Sequence, residues 1–136
     1  MKAYLSRRYR FSASHRLNSD AMSEAENRAI YGKCNNPHGH GHNYTVEVTV
    51  AGEVNPTTGM VLDLKDLKKV LESEVLQLMD HRFLNKEVPA FATKIPTTEN
   101  IALEIWKLLA SKLDFARLHR IRLYETPDLY VDYYGD

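Results

Sequence analysis

Two stretches alternate apolar and polar residues, and they constrain what the first third of this chain can become. Leu5, Tyr9, Phe11, Ala13 and His15 share one parity and Ser6, Arg8, Arg10, Ser12 and Ser14 the other, with Arg7 interrupting the apolar set. Tyr44, Val46, Val48 and Val50 alternate in the same way with Asn43, Thr45, Glu47 and Thr49, and the run ends at Gly52. Successive strand side chains point to opposite faces, so each stretch predicts a half-buried strand that needs an apolar layer against it. That layer comes from downstream. Asp63 is placed to cap a helix whose Leu64, Leu67, Leu71, Val75 and Leu78 recur at helical spacing. After Pro96, Thr97 or Thr98 can cap a second helix with Ile101, Ile105, Leu108 and Leu109 as its buried stripe.

The segment Asn55 to Gly59 reads as a turn, because Pro56 fixes φ and Gly59 accepts the left-handed region. Alternation returns with Ile121, Leu123 and Glu125 against Arg120, Arg122 and Tyr124. After Thr126-Pro127-Asp128, Leu129 to Tyr134 pairs back as a hairpin. Strand, strand, helix, helix, strand, strand predicts an α+β fold, an antiparallel sheet with two helices on one face. Residues 1–136 contain no repeat, low-complexity tract or linker, so one domain is expected, with Met1-Lys2-Ala3-Tyr4 as its start.

Composition narrows the partners. Eighteen Lys plus Arg balance 18 Asp plus Glu, so no global field draws the chain to nucleic acid or an anionic membrane, and an anionic ligand must meet a local cluster. No apolar run exceeds three residues, which excludes a membrane-spanning helix and a secretory h-region. The single cysteine, Cys34, cannot close an intramolecular disulfide, so the reducing cytoplasm is the expected compartment and the thiol is free. A small open sheet has edges that need partners, and four of the eight tyrosines fall between residues 124 and 134, which makes assembly through those edges an expectation.

The chemistry is concentrated in Gly32-Lys33-Cys34-Asn35-Asn36-Pro37-His38-Gly39-His40-Gly41-His42-Asn43-Tyr44. If the second strand begins near His40, then His40 and His42 project from one face and can converge on a cation. His15 ends the first strand on its buried parity and would lie beside them if the strands pair antiparallel. His38 shares the parity of His40 and His42, so the residues alone leave open which two bind, and Gly39 and Gly41 leave open whether the segment is extended at all. A cupin-type site is excluded because neither Tyr44 nor Thr45 is a glutamate. Cys34 beside Lys33, two asparagines and a metal site is expected to have a lowered thiol pKa and a proton-transfer or nucleophilic role, against the alternative of a small apolar filler. Asp80-His81 can orient a proton shuttle or can be solvated charge. Glu125 continues the inward parity of Ile121 and Leu123, and the amidine-like edge of a heterocycle would satisfy both its oxygens.

Phe11-Ser12-Ala13-Ser14-His15-Arg16-Leu17, the run from Cys34 to Tyr44, Asp80-His81, Thr97-Thr98-Glu99-Asn100 and Tyr124-Glu125-Thr126 together resemble the 6-pyruvoyl-tetrahydropterin synthase family, in order and over nearly the whole chain. The resemblance implies the tunnelling (T-) fold, in which four-stranded antiparallel sheets close an oligomeric barrel and two trimers stack into a homohexamer. It implies zinc (Zn2+) held by His15, His40 and His42, and His38 stands where Asn or Gly is expected. It implies conversion of 7,8-dihydroneopterin triphosphate to 6-pyruvoyltetrahydropterin with loss of triphosphate, a lyase reaction of tetrahydrobiopterin biosynthesis. In that reading Cys34 is the general base, aided by Asp80-His81 of a neighbouring subunit. Glu125 anchors the pterin edge, and Thr97, Thr98 and Glu99 lie near the ring; Arg16 and Lys33 are candidates to meet the triphosphate by their proximity in sequence alone. Two alternatives stand beside it: the related 6-carboxytetrahydropterin synthase of the queuosine route, and a non-catalytic zinc or pterin-binding module. The carboxy-forming relatives tend to have a shorter interval between the cysteine and the paired histidines, so with five residues between Cys34 and His40 the resemblance is to the pyruvoyl-forming branch.

Overall fold

The computed structural model describes residues 2–113 and 117–136. Two long strands open it, β1 (Lys2–His15) and β2 (His40–Glu53), separated by helix α1 (Glu24–Tyr31) and a 3-10 turn (Gly32–Asn35). The helical layer follows: α2 (Leu64–Leu71), a π turn (Glu72–Leu76), α3 (Gln77–Met79), the two-residue strand β3 (Arg82–Phe83), α4 (Leu84–Glu87), a 3-10 turn (Pro89–Ala92) and α5 (Thr98–Ala110). Strands β4 (Arg117–Thr126) and β5 (Leu129–Tyr133) close the chain.

The sheet order is β3-β1-β2-β4-β5, so the sheet has five strands where four were expected. The long strands pair antiparallel, but β3 runs parallel to β1 through Ala13↔Arg82 and Ser14↔Phe83. A strand of two residues is too short to show alternation. Residue parity was otherwise a sound guide: Tyr9, Phe11, Ala13, Val46, Val48, Ile121 and Leu123 are buried on one face, against Leu67, Leu71, Val75, Met79, Ile101, Ile105 and Leu109 of the helices. Met79 replaces the predicted Leu78 because the π turn widens the helix there, giving buried positions four residues apart from Leu67 to Met79. No helix among the described residues is long and apolar enough to cross a membrane.

Helix α1 has no apolar stripe, and Asn27 is its buried residue, which is why periodicity does not reveal it. Its signal is a capping box, in which Glu26 N–H donates to Ser23 Oγ and Ser23 N–H donates to Glu26 Oε1. Central strand β2 is buried on both faces, since Glu47 on the polar face is covered by Arg8 and Arg120, which donate to it.

At the β4–β5 hairpin, Arg122 grips Asp132 with two bonds of 2.7 and 2.9 Å and holds its carboxyl below the ordinary range. A depressed folded pKa contributes stability that is complete above the unfolded value of about 3.9 and is lost as pH falls through the folded one. Asp132→Asn should therefore melt about 3 °C below the parent at pH 7, and the two melting curves should begin to draw together as pH falls below about 4 and meet only below the depressed folded value, in a pH series of thermal melts.

Candidate metal centre and its cavity

The pairing of β1 with β2 sets His15 opposite His40 and Ala13 opposite His42, so the end of β1 and the start of β2 present three imidazoles on the core face. Their ring centroids lie 4.6 to 5.2 Å apart, and one donor atom from each falls within 4.8 Å of the others. Gly39 decides which histidines take part. At φ +75° it closes a turn in which its N–H donates to Asn36 O, and a Cβ there would stand 3.1 Å from the His15 carbonyl oxygen and from the Phe83 ring. The turn leaves His38 exposed and outside the strand, so its parity with His40 and His42 carries no meaning.

These residues fit a metal. His15 is fully buried, and its Nδ1 meets the Pro96 carbonyl at 2.7 Å, which assigns the proton to Nδ1 and turns a lone pair at Nε2 toward His40. The two Nε2 atoms are 3.1 Å apart, and two nitrogens on one tetrahedral zinc stand about 3.3 Å apart. His40 Nδ1 and His42 Nε2 are buried without a hydrogen-bond partner among the described residues. Burial pushes the His15 and His40 imidazoles below their ordinary value and favours the neutral, ligating form. Tyr44 caps the cluster from beneath, its hydroxyl 3.4 Å from His15 Nδ1.

His40 and His42 line a cavity of about 890 Å³ together with Cys34, Arg16, Arg28 and Lys33. Helix α1 supplies one wall through Glu24 and Arg28, an element that the apolar pattern does not reveal. Cys34 stands on the 3-10 turn, half-buried. The expected lowering of its thiol pKa is corrected: burial pushes the thiol up, and the Glu125 carboxylate adds to the rise. Sequence neighbours such as Lys33 did not set the local field, because Lys33 itself is exposed.

Glu125 is brought to the same corner. Its Oε1 lies 3.5 Å from His42 Nε2, and its Oε2 accepts the Thr98 hydroxyl at 2.6 Å. Thr98 is buried at the start of α5, while Thr97 is the N-cap, its hydroxyl accepting from Asn100 N–H at 3.1 Å. Glu99 is exposed on the first turn of that helix. Asp80 and His81 stand elsewhere in the single chain, in a cavity of about 740 Å³ that includes Arg8, Arg10 and Asn43. Asp80 Oδ1 lies 3.0 Å from His81 Nδ1 and accepts Ser12 N–H at 2.9 Å. His81 adopts φ +61°, a conformation that a non-glycine residue holds only against some strain.

The family model described as 6-pyruvoyl tetrahydropterin synthase matches residues 4–136. The chain belongs to this family. It is 50% identical over 135 residues to the 6-pyruvoyl tetrahydrobiopterin synthase of Homo sapiens, covering 99% of this chain and 93% of the human one. The solved 6-pyruvoyl tetrahydropterin synthase of Caenorhabditis elegans superposes with a TM-score of 0.96 at 44% identity, covering 100% of this chain and 97% of that one. A putative 6-carboxy-5,6,7,8-tetrahydropterin synthase of Archaeoglobus fulgidus is 37% identical over 114 residues, 84% of this chain and 90% of its own. The family's α+β fold is therefore that of this chain.

Proposed function

We propose that this chain is a zinc-dependent 6-pyruvoyltetrahydropterin synthase, a carbon-oxygen lyase that converts 7,8-dihydroneopterin triphosphate to 6-pyruvoyltetrahydropterin and inorganic triphosphate. The observation that carries the reading is the convergence of His15, His40 and His42, the last two lining a cavity with Cys34, in a chain half identical to a named synthase. When bound, the metal supplies positive charge that draws electrons from the substrate's side-chain oxygens and favours an ionised Cys34.

The chain's own groups then divide the remaining tasks. Cys34 takes a proton from the side-chain carbon that bears a hydroxyl, and the Asp80–His81 pair of a neighbouring subunit exchanges a proton on the opposite face. Arg16 and Lys33 lie in the cavity where a triphosphate would need cations. Glu125 accepts from the pterin's amino-pyrimidine edge, with its carboxylate turned by Thr98, and Thr97 and Glu99 flank the ring. The reaction rearranges protons and releases triphosphate, so it needs no external redox partner.

Assembly as a homohexamer in the cytoplasm completes this reading. Its support is that Asp80 and His81 line a different cavity of the chain from Cys34, the exposed Leu129, Tyr130 and Tyr134, and a β1 edge that β3 covers at only Ala13 and Ser14. Incubating the zinc-loaded protein with dihydroneopterin triphosphate and identifying the product by mass tests the function. 6-Pyruvoyltetrahydropterin supports it. Acetaldehyde with a 6-carboxy product would transfer the chain to the activity named for the Archaeoglobus relative, and no product would leave a binding module.

Glu125→Gln replaces a charged acceptor by a neutral amide, and a hydrogen bond to a charged group contributes about 1.5–3 kcal/mol. KM should therefore rise about 10- to 100-fold while kcat falls less. Thr98→Val, which frees Glu125 Oε2 from its donor, should raise KM a few-fold in the same steady-state assay. Unchanged constants in both variants would remove Glu125 from the site.

A further inference from the structure

The 3-10 turn that carries Cys34 is a single turn between a helix ended by Gly32 at φ +56° and the Asn36–Gly39 turn. What ties it to the sheet, among the described residues, is the segment that leaves β1 just after His15. Leu17 N–H donates to Cys34 O at 2.9 Å, and Arg16 Nε donates to Asn35 O at 3.1 Å. The Asn35 side chain, 6% exposed, donates from Nδ2 to Leu17 O at 2.7 Å and to Asn18 Oδ1 at 3.0 Å. From the opposite side Asn85 holds the same segment by two bonds of 2.8 Å, accepting Arg16 N–H and donating to Arg16 O. The exit of β1 is thus clamped between two asparagine amides, and it begins one residue beyond a buried histidine of the metal corner.

The geometry points to Asn35 as a positioning residue: its amide fixes the Cys34 turn against the β1 exit and so sets the placement of the thiol relative to the three histidines. The chemistry is specific to an amide with two N–H donors facing two oxygens. An aspartate of the same shape would turn both bonds into oxygen–oxygen contacts. Asn35 lines the same cavity as Cys34, His40 and His42, but both hydrogen bonds of its Nδ2 go to the β1 exit, so its effect is transmitted through the turn that carries Cys34.

This inference rests on Cys34 acting in turnover, and the test separates the two. Asn35→Asp and the milder Asn18→Ala are compared with the parent at a temperature well below each variant's melting transition. Iodoacetamide alkylation of Cys34, zinc stoichiometry and steady-state constants are measured. A thiol released toward solvent should alkylate several-fold faster in Asn35→Asp, while zinc content stays at the parent level. Its kcat should fall about 100-fold, the scale of a misplacement of about 1 Å, with KM changed less than about threefold. Asn18→Ala should move both rates in the same directions by a smaller factor, and it carries the test if Asn35→Asp does not fold. Alkylation and kcat equal to the parent in a folded variant would overturn the inference. So would losses in kcat and KM that merely track the fraction unfolded. If the parent makes no product, the functional reading fails, and the alkylation comparison still decides whether Asn35 holds the thiol.

Discussion

Cys34→Ala should lower turnover of dihydroneopterin triphosphate by about 10²- to 10⁴-fold, the usual contribution of a positioned proton-transfer group, while the zinc content measured on the same sample is unchanged. The separation of those two readouts follows from the fold. Cys34 comes from the 3-10 turn between α1 and β2, whereas the three imidazoles come from the paired ends of β1 and β2. Removing one sulfur leaves the register of His15 with His40 and the Pro96 contact intact. A half-buried site loses little stability on truncation to alanine, so thermal melts should stay within a few degrees of the parent. Full activity in this variant would exclude Cys34 as the base.

His42→Ala should abolish activity and release the metal. Three protein ligands leave one open position on a catalytic zinc, and two ligands hold the ion far less tightly. His42 is only partly buried, so the metal-free variant should keep its fold. His15→Ala should differ in kind. That side chain is fully buried and its Nδ1 occupies the Pro96 carbonyl, so its loss removes a ligand and also strands a buried acceptor at a cost of about 1–3 kcal/mol. Metal analysis should read the two alike, and thermal melts should set His15→Ala several degrees lower. Retained stoichiometric zinc in His42→Ala would remove it from the ligand set.

Much of this architecture is legible in residue order because burial is periodic. The parity of Tyr9, Phe11 and Ala13 leads directly to His15, and that of Ile121 and Leu123 leads to Glu125. What parity could not settle was the start of β2, since the left-handed Gly39 breaks the count between His38 and His40. Helix α1 escaped because its stability comes from a capping box and a buried amide instead of an apolar stripe. The field at Cys34 does not follow from adjacent letters: Lys33, next in sequence, is exposed, while burial and then the charge of Glu125, about ninety positions away, raise the thiol. Pro96 acts through a backbone oxygen, which no side-chain pattern reveals.

The entry to α5 touches both ends of the candidate site. The carbonyl of Pro96, just before the N-cap Thr97, meets His15, and the hydroxyl of Thr98, the first residue of the helix, meets Glu125. One stiff piece of backbone therefore serves as a common jig. A small rocking of the helix would carry both attachment points together, preserving the spacing between the ion's corner and the carboxylate even while the pair drifts relative to the rest of the sheet.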